Sequence, residues 1–255
     1  MIASLGMYDR PETMAANDRL WALMRDGLRA RGIAAPEALT RGAGAYWQAW
    51  EDPALVLSQT CGFPYRAKLH GKVTLVASPD YGLQGCPPGY YCSVFVARAD
   101  DARRLPEFRG ARFAYNEALS QSGWAAPQNH AATMGFHFCP LVETGSHRGS
   151  ALAVAEGRAD LACLDALTWA LLQRWEPVVA GLREVARTAP TPALPYIAAK
   201  GADAEATFVA LVAAIAQLSP EDRDTLSLRG VVRIAPERYL AVPIPPTPEQ
   251  IAQSG

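Results

Sequence analysis

Short apolar runs and amphipathic stretches alternate through most of this chain, the pattern of strands feeding helices around a parallel or mixed sheet. Residues 2–7 read as a first buried strand. Residues 11–31 read as a helix, with Leu20, Trp21, Met24 and Leu28 at helical spacing and Gly32 as its stop. Residues 54–58 and 73–77 are two further strands, each running into a polar, Gly- and Pro-rich turn. The β-rich run 91–98 opens a second series: a short helix over 100–107, a strand over 112–115, and a helix opened by Ser120. A strand at 138–143, a helix at 146–156, a strand at 159–163, a helix at 165–174 and a strand at 182–188 complete it. Beyond the prolines at 190, 192 and 195, residues 196–200 read as a strand and 204–217 as an apolar-striped helix. Ser219-Pro220 carries the cap chemistry of one more helix start. From Pro243 onward the tail is proline-rich without periodicity, which predicts an extended strap or a disordered end.

The last 60 or so residues are too few to form an α/β domain of their own. The simplest arrangement returns them to the first series, so that the second is an insertion. The expected organisation is α/β with two lobes: residues 1–92 plus 190–255 in the first, 98–185 in the second. The crossing strands near 92–98 and 185–190 would serve as a hinge.

The 24 basic and 25 acidic residues nearly cancel, for a net charge of -1. No long-range field favours nucleic acid or an anionic membrane, so any anion site must be local. No apolar run approaches the roughly 20 residues of a membrane span. The first eight residues lack a charged segment and a long apolar stretch, so they do not read as a signal peptide. A periplasmic protein whose export signal was removed and a cytoplasmic protein both remain open. The five cysteines (61, 86, 92, 139 and 163) are odd in number and form no CxxC pair, and small buried thiols are the plain reading. A Cys61–Cys86 bridge is an alternative for an exported protein, since each sits in a Gly-containing turn.

Two segments carry the chemistry. Asn116-Glu117-Ala118-Leu119-Ser120-Gln121-Ser122-Gly123 follows a strand and opens a helix. A first helical turn offers unpaired backbone N–H groups and a partial positive charge. Ser120 and Ser122 add hydroxyl donors, and Gly123 lets a ligand approach the backbone. Ser120 acting only as a helix cap is the competing reading. Glu143-Thr144-Gly145-Ser146-His147 has the same strand-to-helix form, and His147 would donate best when protonated. In a parallel sheet both helix starts lie at the carboxyl edge, where ligands bind. Asp165 follows another strand and either caps the next helix or meets a cationic or hydroxyl group of a ligand. In the first lobe Tyr8, Thr60 and Tyr81 each follow a strand, and tyrosines bring apolar area with one polar handle.

Leu5-Gly6-Met7-Tyr8-Asp9, Gln59-Thr60-Cys61-Gly62, Pro79-Asp80-Tyr81-Gly82, Tyr91-Cys92-Ser93, the segment 116–123, Gly145-Ser146-His147 and Gly157-Arg158-Ala159-Asp160 together resemble the phosphate/phosphonate-binding proteins of ABC importers. The resemblance implies a type II periplasmic-binding-protein-like fold, two α/β sheets joined by two hinge strands. It implies a solute-binding function, capture of a small oxyanion between the lobes for an ABC permease, with no cofactor and no catalysis. A monomer is expected. It carries oxyanion binding to Ser120, Ser122 and His147, with Asn116, Gly123, Ser146 and Thr60 beside them. Tyr8 and Tyr91 become lining residues, and Asp165 a partner for an amino group. Two alternatives stay open: an enzyme on the same fold, of the menaquinone- or thiamine-precursor-pathway type, and a ligand-sensing subunit. No nucleophile elbow, zinc helix, Walker or dinucleotide motif supports the enzyme.

Overall fold

The computed structural model describes residues 1–254. Besides a short two-stranded pair of Tyr90–Tyr91 with Thr191–Pro192, ten strands form its two larger sheets: β1 Ile2–Ser4, β2 Leu55–Gln59, β3 Val73–Asp80, β4 Ser93–Arg98, β5 Phe113–Tyr115, β6 Leu141–Glu143, β7 Leu161–Asp165, β8 Leu182–Arg187, β9 Tyr196–Ala199 and β10 Gly230–Val232. The helices that matter below are α1 Met14–Arg29, α2 Ala126–Ala132, α3 His147–Ala155, α4 Ala166–Trp175, α5 Ala204–Gln217, α6 Pro220–Leu226, α7 Pro236–Leu240 and α8 Pro248–Ser254. Two compact units result, Met1–Tyr90 with Pro192–Ala241, and Tyr91–Thr191 with the tail from Val242.

The first unit is a five-stranded sheet in the order β1-β2-β9-β3-β10. β1 and β2 run parallel. β9 enters antiparallel between β2 and β3, so the returning chain completes the sheet from its centre. α1 packs on α5, burying Leu20, Trp21, Met24 and Leu28 on one side and Ala210, Leu211, Ala214 and Ile215 on the other. α1 ends as its sequence signals, with Gly32 at φ +74°. Ser219 caps α6 by accepting from the Asp222 N–H. Beneath the sheet, Tyr65 and Tyr239 meet edge to face at 5.1 Å. The buried Tyr239 hydroxyl donates to Ala193 O at 2.8 Å and bonds Ser78 Oγ. Tyr239→Phe leaves both partners unsatisfied and is expected to cost about 1–3 kcal/mol of stability, read by urea unfolding. An unchanged midpoint would contradict this account of the core.

The second unit is a five-stranded sheet in the order β6-β5-β7-β4-β8. β6, β5 and β7 run parallel, while β4 lies antiparallel to β7 and β8. Every residue of β7 is buried, and β4 is buried through Ala97, as strands covered on both faces must be. Phe95, Phe113 and Phe138 form an aromatic core, with Phe113 and Phe138 stacked at 4.8 Å.

Three expectations need correction. The helix expected over 100–107 shrinks to a single turn, Leu105–Phe108. Asp101 competes for the backbone there: its carboxylate accepts the Arg103 N–H and guanidinium, closing a local turn instead of a helix. The tail, expected in the first lobe as a strap or disordered end, packs with the second unit and ends in α8. Asn129 Nδ2 donates to Pro243 O at 2.9 Å, Trp124 Nε1 donates to Pro246 O at 3.2 Å, and Ile251 is buried. The chain therefore passes between the units three times, at 90/91, 191/192 and 241/242. The Cys61–Cys86 bridge is not formed, because all five cysteines are thiols.

Candidate functional site

In the second unit, β5 and β6 are parallel neighbours, with Tyr115 opposite Glu143. Their carboxyl ends therefore deliver Asn116 and Gly145 side by side. Backbone bonds tie the two exits together: Thr144 N–H donates to Tyr115 O at 2.9 Å, and Gly145 N–H to Asn116 O at 3.0 Å. Gly145 makes the turn at φ +75°.

The first helix start is unusual. Ser120 is extended and caps it, its Oγ accepting from Gly123 N at 3.0 Å. Both Trp124 N and Ala125 N then reach the Ser120 carbonyl, at 3.2 and 2.9 Å, which widens the first turn before α2 begins. Such wide turns concentrate at functional sites. The cap reading of Ser120 thus holds, while its O–H proton stays available as a donor. Ser146 repeats the arrangement on α3, its Oγ accepting from Gly149 N at 2.9 Å.

The two starts converge. Ser122 Oγ lies 2.8 Å from His147 Nε2. Gly123 sits under both groups: a Cβ there would run into Asn116 Oδ1 and lie 3.2 Å from His147 Cε1. Ser120, Ser122 and Gly123 are buried, and Asn116 and His147 half-buried. Asn116 Oδ1 and His147 Nδ1 are shielded from solvent with no hydrogen-bond partner within the chain. Desolvation holds the His147 pKa down to about 4. In the ligand-free chain burial therefore keeps this ring neutral at pH 7, and Nδ1 has no hydrogen-bond partner within the chain that would stabilise the cation.

Of the remaining sequence candidates, only Asp165 ends a strand of this sheet edge, β7, which runs parallel beside β5 and packs against the Gln121–Ala125 turn. Asp165 caps α4 by accepting from Thr168 N at 2.9 Å, the plainer of its two readings. Tyr91, buried, starts the second unit. Tyr8 and Thr60 belong to the first unit. Tyr8 packs edge to face on Tyr81 at 5.4 Å, and Tyr81 Oη accepts from Gln59 Nε2 at 2.8 Å. Thr60 is fully buried, with its N–H on Pro195 O. Sequence reasoning missed Trp124, whose ring packs on Tyr115 at 4.9 Å directly behind the Ser-Gly turn. Its only signal was a bulky apolar residue next to Gly123. Among the described residues, no cluster of His, Cys, Asp and Glu could hold a metal ion, and no helix is long and apolar enough to cross a membrane.

A family model described as an ABC transporter phosphonate periplasmic substrate-binding protein matches residues 55–238. No curated protein matches the chain. Among solved structures, PhnD1 from Prochlorococcus marinus, in complex with methylphosphonate, aligns with a TM-score of 0.71 at 16% identity, over 99% of this chain and 97% of its own. XAC2383 from Xanthomonas citri, bound to chloride ion, aligns at 0.72 with 17% identity, over 99% and 97%. A binding-protein component of an ABC phosphonate transporter from Pseudomonas aeruginosa aligns at 0.68 with 14% identity, over 93% and 83%. At these identities the alignments establish the type II periplasmic-binding-protein fold.

Proposed function

Because the chain belongs to the family of periplasmic substrate-binding proteins of ABC phosphonate transporters, we propose that its ligand is a small phosphorus oxyanion held by Ser120, Ser122, Gly123, Ser146 and His147, with Asn116 at the rim. The chain is a solute-binding protein of an ABC importer, not an enzyme. The observation that carries the ligand assignment is the 2.8 Å contact of Ser122 Oγ with His147 Nε2, which joins two helix starts at the carboxyl edge of parallel strands.

The chemistry follows from the donors. Neutral His147 carrying its proton on Nε2 donates to Ser122 Oγ, which leaves the Ser122 O–H for the anion. Ser120 adds its own O–H, and the helix starts add backbone N–H groups and positive dipole ends. Charge-assisted bonds contribute roughly 1.5–3 kcal/mol each, so three or four support micromolar binding after the ordering cost. An anion beside the imidazole stabilises its cation, so ligand binding raises the His147 pKa and draws in a proton near neutral pH. The family's periplasmic setting supports capture in the periplasm, with a membrane permease as the receiving partner.

A thermal-shift screen with phosphate, phosphite, methylphosphonate, methylsulfonate and acetate tests the assignment. At about 100 times its Kd, a true ligand stabilises by about 2.7 kcal/mol, or roughly 5–10 °C for a protein of this size. Phosphorus compounds are expected to give that shift, and the Ser122→Ala/His147→Ala variant to lose it. No shift with any phosphorus compound at millimolar concentration would refute the ligand class.

A further inference from the structure

We propose that residues 242–254 are a positioning strap for the oxyanion turn, acting through Trp124, whose indole N–H ends on Pro246. As regards ligand affinity, this rests on the function proposed above. Trp124 is the residue after Gly123, is 1% exposed, and lies inside the wide turn Gln121–Ala125. A buried indole N–H demands an acceptor. The sheet and helices of the second unit give it none. The acceptor is Pro246 O, at 3.2 Å, on a segment that returns from the far end of the sequence.

The strap is anchored on both sides of that bond. Upstream, Asn129 Nδ2 on α2 donates to Pro243 O at 2.9 Å. Downstream, Thr247 and Gln250 bond each other across the start of α8, and Ile251 is 4% exposed. Prolines at 243, 245, 246 and 248 stiffen the segment, so little entropy is lost on docking it. On its other face the Trp124 ring meets Tyr115, the residue before Asn116. One indole therefore links the strap to both ends of the 115–123 segment, which carries Ser122 to His147. The wide turn departs from the regular helical ladder, with Trp124 N and Ala125 N sharing one carbonyl, so an external tether is what keeps Ser122 Oγ in register with His147 Nε2.

The test uses two variants. Trp124→Phe removes the N–H and keeps an aromatic ring against Tyr115. Asn129→Ala removes the upstream anchor from a half-buried position outside the core. Methylphosphonate affinity is measured by calorimetry, and the His147 ring is titrated by NMR without ligand. Loss of the tether is expected to weaken affinity about tenfold in Trp124→Phe and about threefold in Asn129→Ala, the scale of one hydrogen bond. The His147 midpoint should also climb from about 4 toward its ordinary 6.5 as the turn loosens and water reaches the ring. A purely structural strap would lower the melting temperature of both variants while affinity and the His147 midpoint stayed at parental values, and that result overturns the proposal. Should the parent bind no phosphorus oxyanion, the functional reading fails by itself, and the ligand-free titration still decides the strap.

Discussion

Gly123→Ala is expected to weaken methylphosphonate binding roughly 100-fold, equivalent to about 2.8 kcal/mol, and to lower stability by about 1–3 kcal/mol. Gly123 has no unusual backbone to protect, since its φ is not positive. Its need for a bare Cα is steric. The space a methyl group would take is filled by the Asn116 amide oxygen and bordered by the His147 ring. Both are proposed to lie at the ligand, so relieving the clash displaces the site itself. Asn116→Ala/Gly123→Ala should recover stability relative to the single Gly123→Ala, because the clashing oxygen is gone, while affinity stays low. Isothermal calorimetry and urea unfolding of the four-member cycle read both quantities. A Gly123→Ala protein with parental affinity would show that this turn does not meet the ligand.

The second large effect is in acid. The folded His147 pKa is depressed to about 4, whereas the unfolded ring titrates near 6.5. As pH falls through 6.5, the unfolded chain binds a proton that the folded chain refuses until about pH 4. Stability that is fully present above 6.5 is therefore lost progressively between 6.5 and 4, by roughly 3 kcal/mol. Below 4 both states are protonated and this contribution changes no further. Burial also depresses His130, which adds to the loss of stability as pH falls below 6.5. Asp101 behaves differently: the Arg103 guanidinium holds it at about 2, so its contribution disappears only below about pH 4. Urea midpoints from pH 8 to pH 3 should fall most steeply between 6.5 and 4, and His147→Gln should flatten that segment. Saturating methylphosphonate should flatten it as well, because the bound anion raises the ring's pKa. A parental slope in His147→Gln would mean that the ring is not buried in the neutral form.

Much of this architecture is written locally. Turn glycines, Ser and Asp caps, prolines at first helical positions and the 3.6-residue apolar spacing act within a few residues, and α5 runs over the very residues its pattern indicated. The exits of β5 and β6 were legible for the same reason, since each joins a strand pattern to a Ser-containing helix start. The too-short C-terminal portion even announced that the chain must return to the first sheet, because burial needs a partner surface. What sequence could not supply depends on long-range packing. The 2.8 Å meeting of Ser122 with His147 follows from β5 and β6 being neighbours in one sheet. The neutral state of His147 follows from burial of the ring, which meets Ser122 and Gly123 some 25 residues away only through the fold. The docking of residues 242–254 on Trp124 follows from one buried N–H finding its acceptor some 120 residues away, a need that no local pattern records.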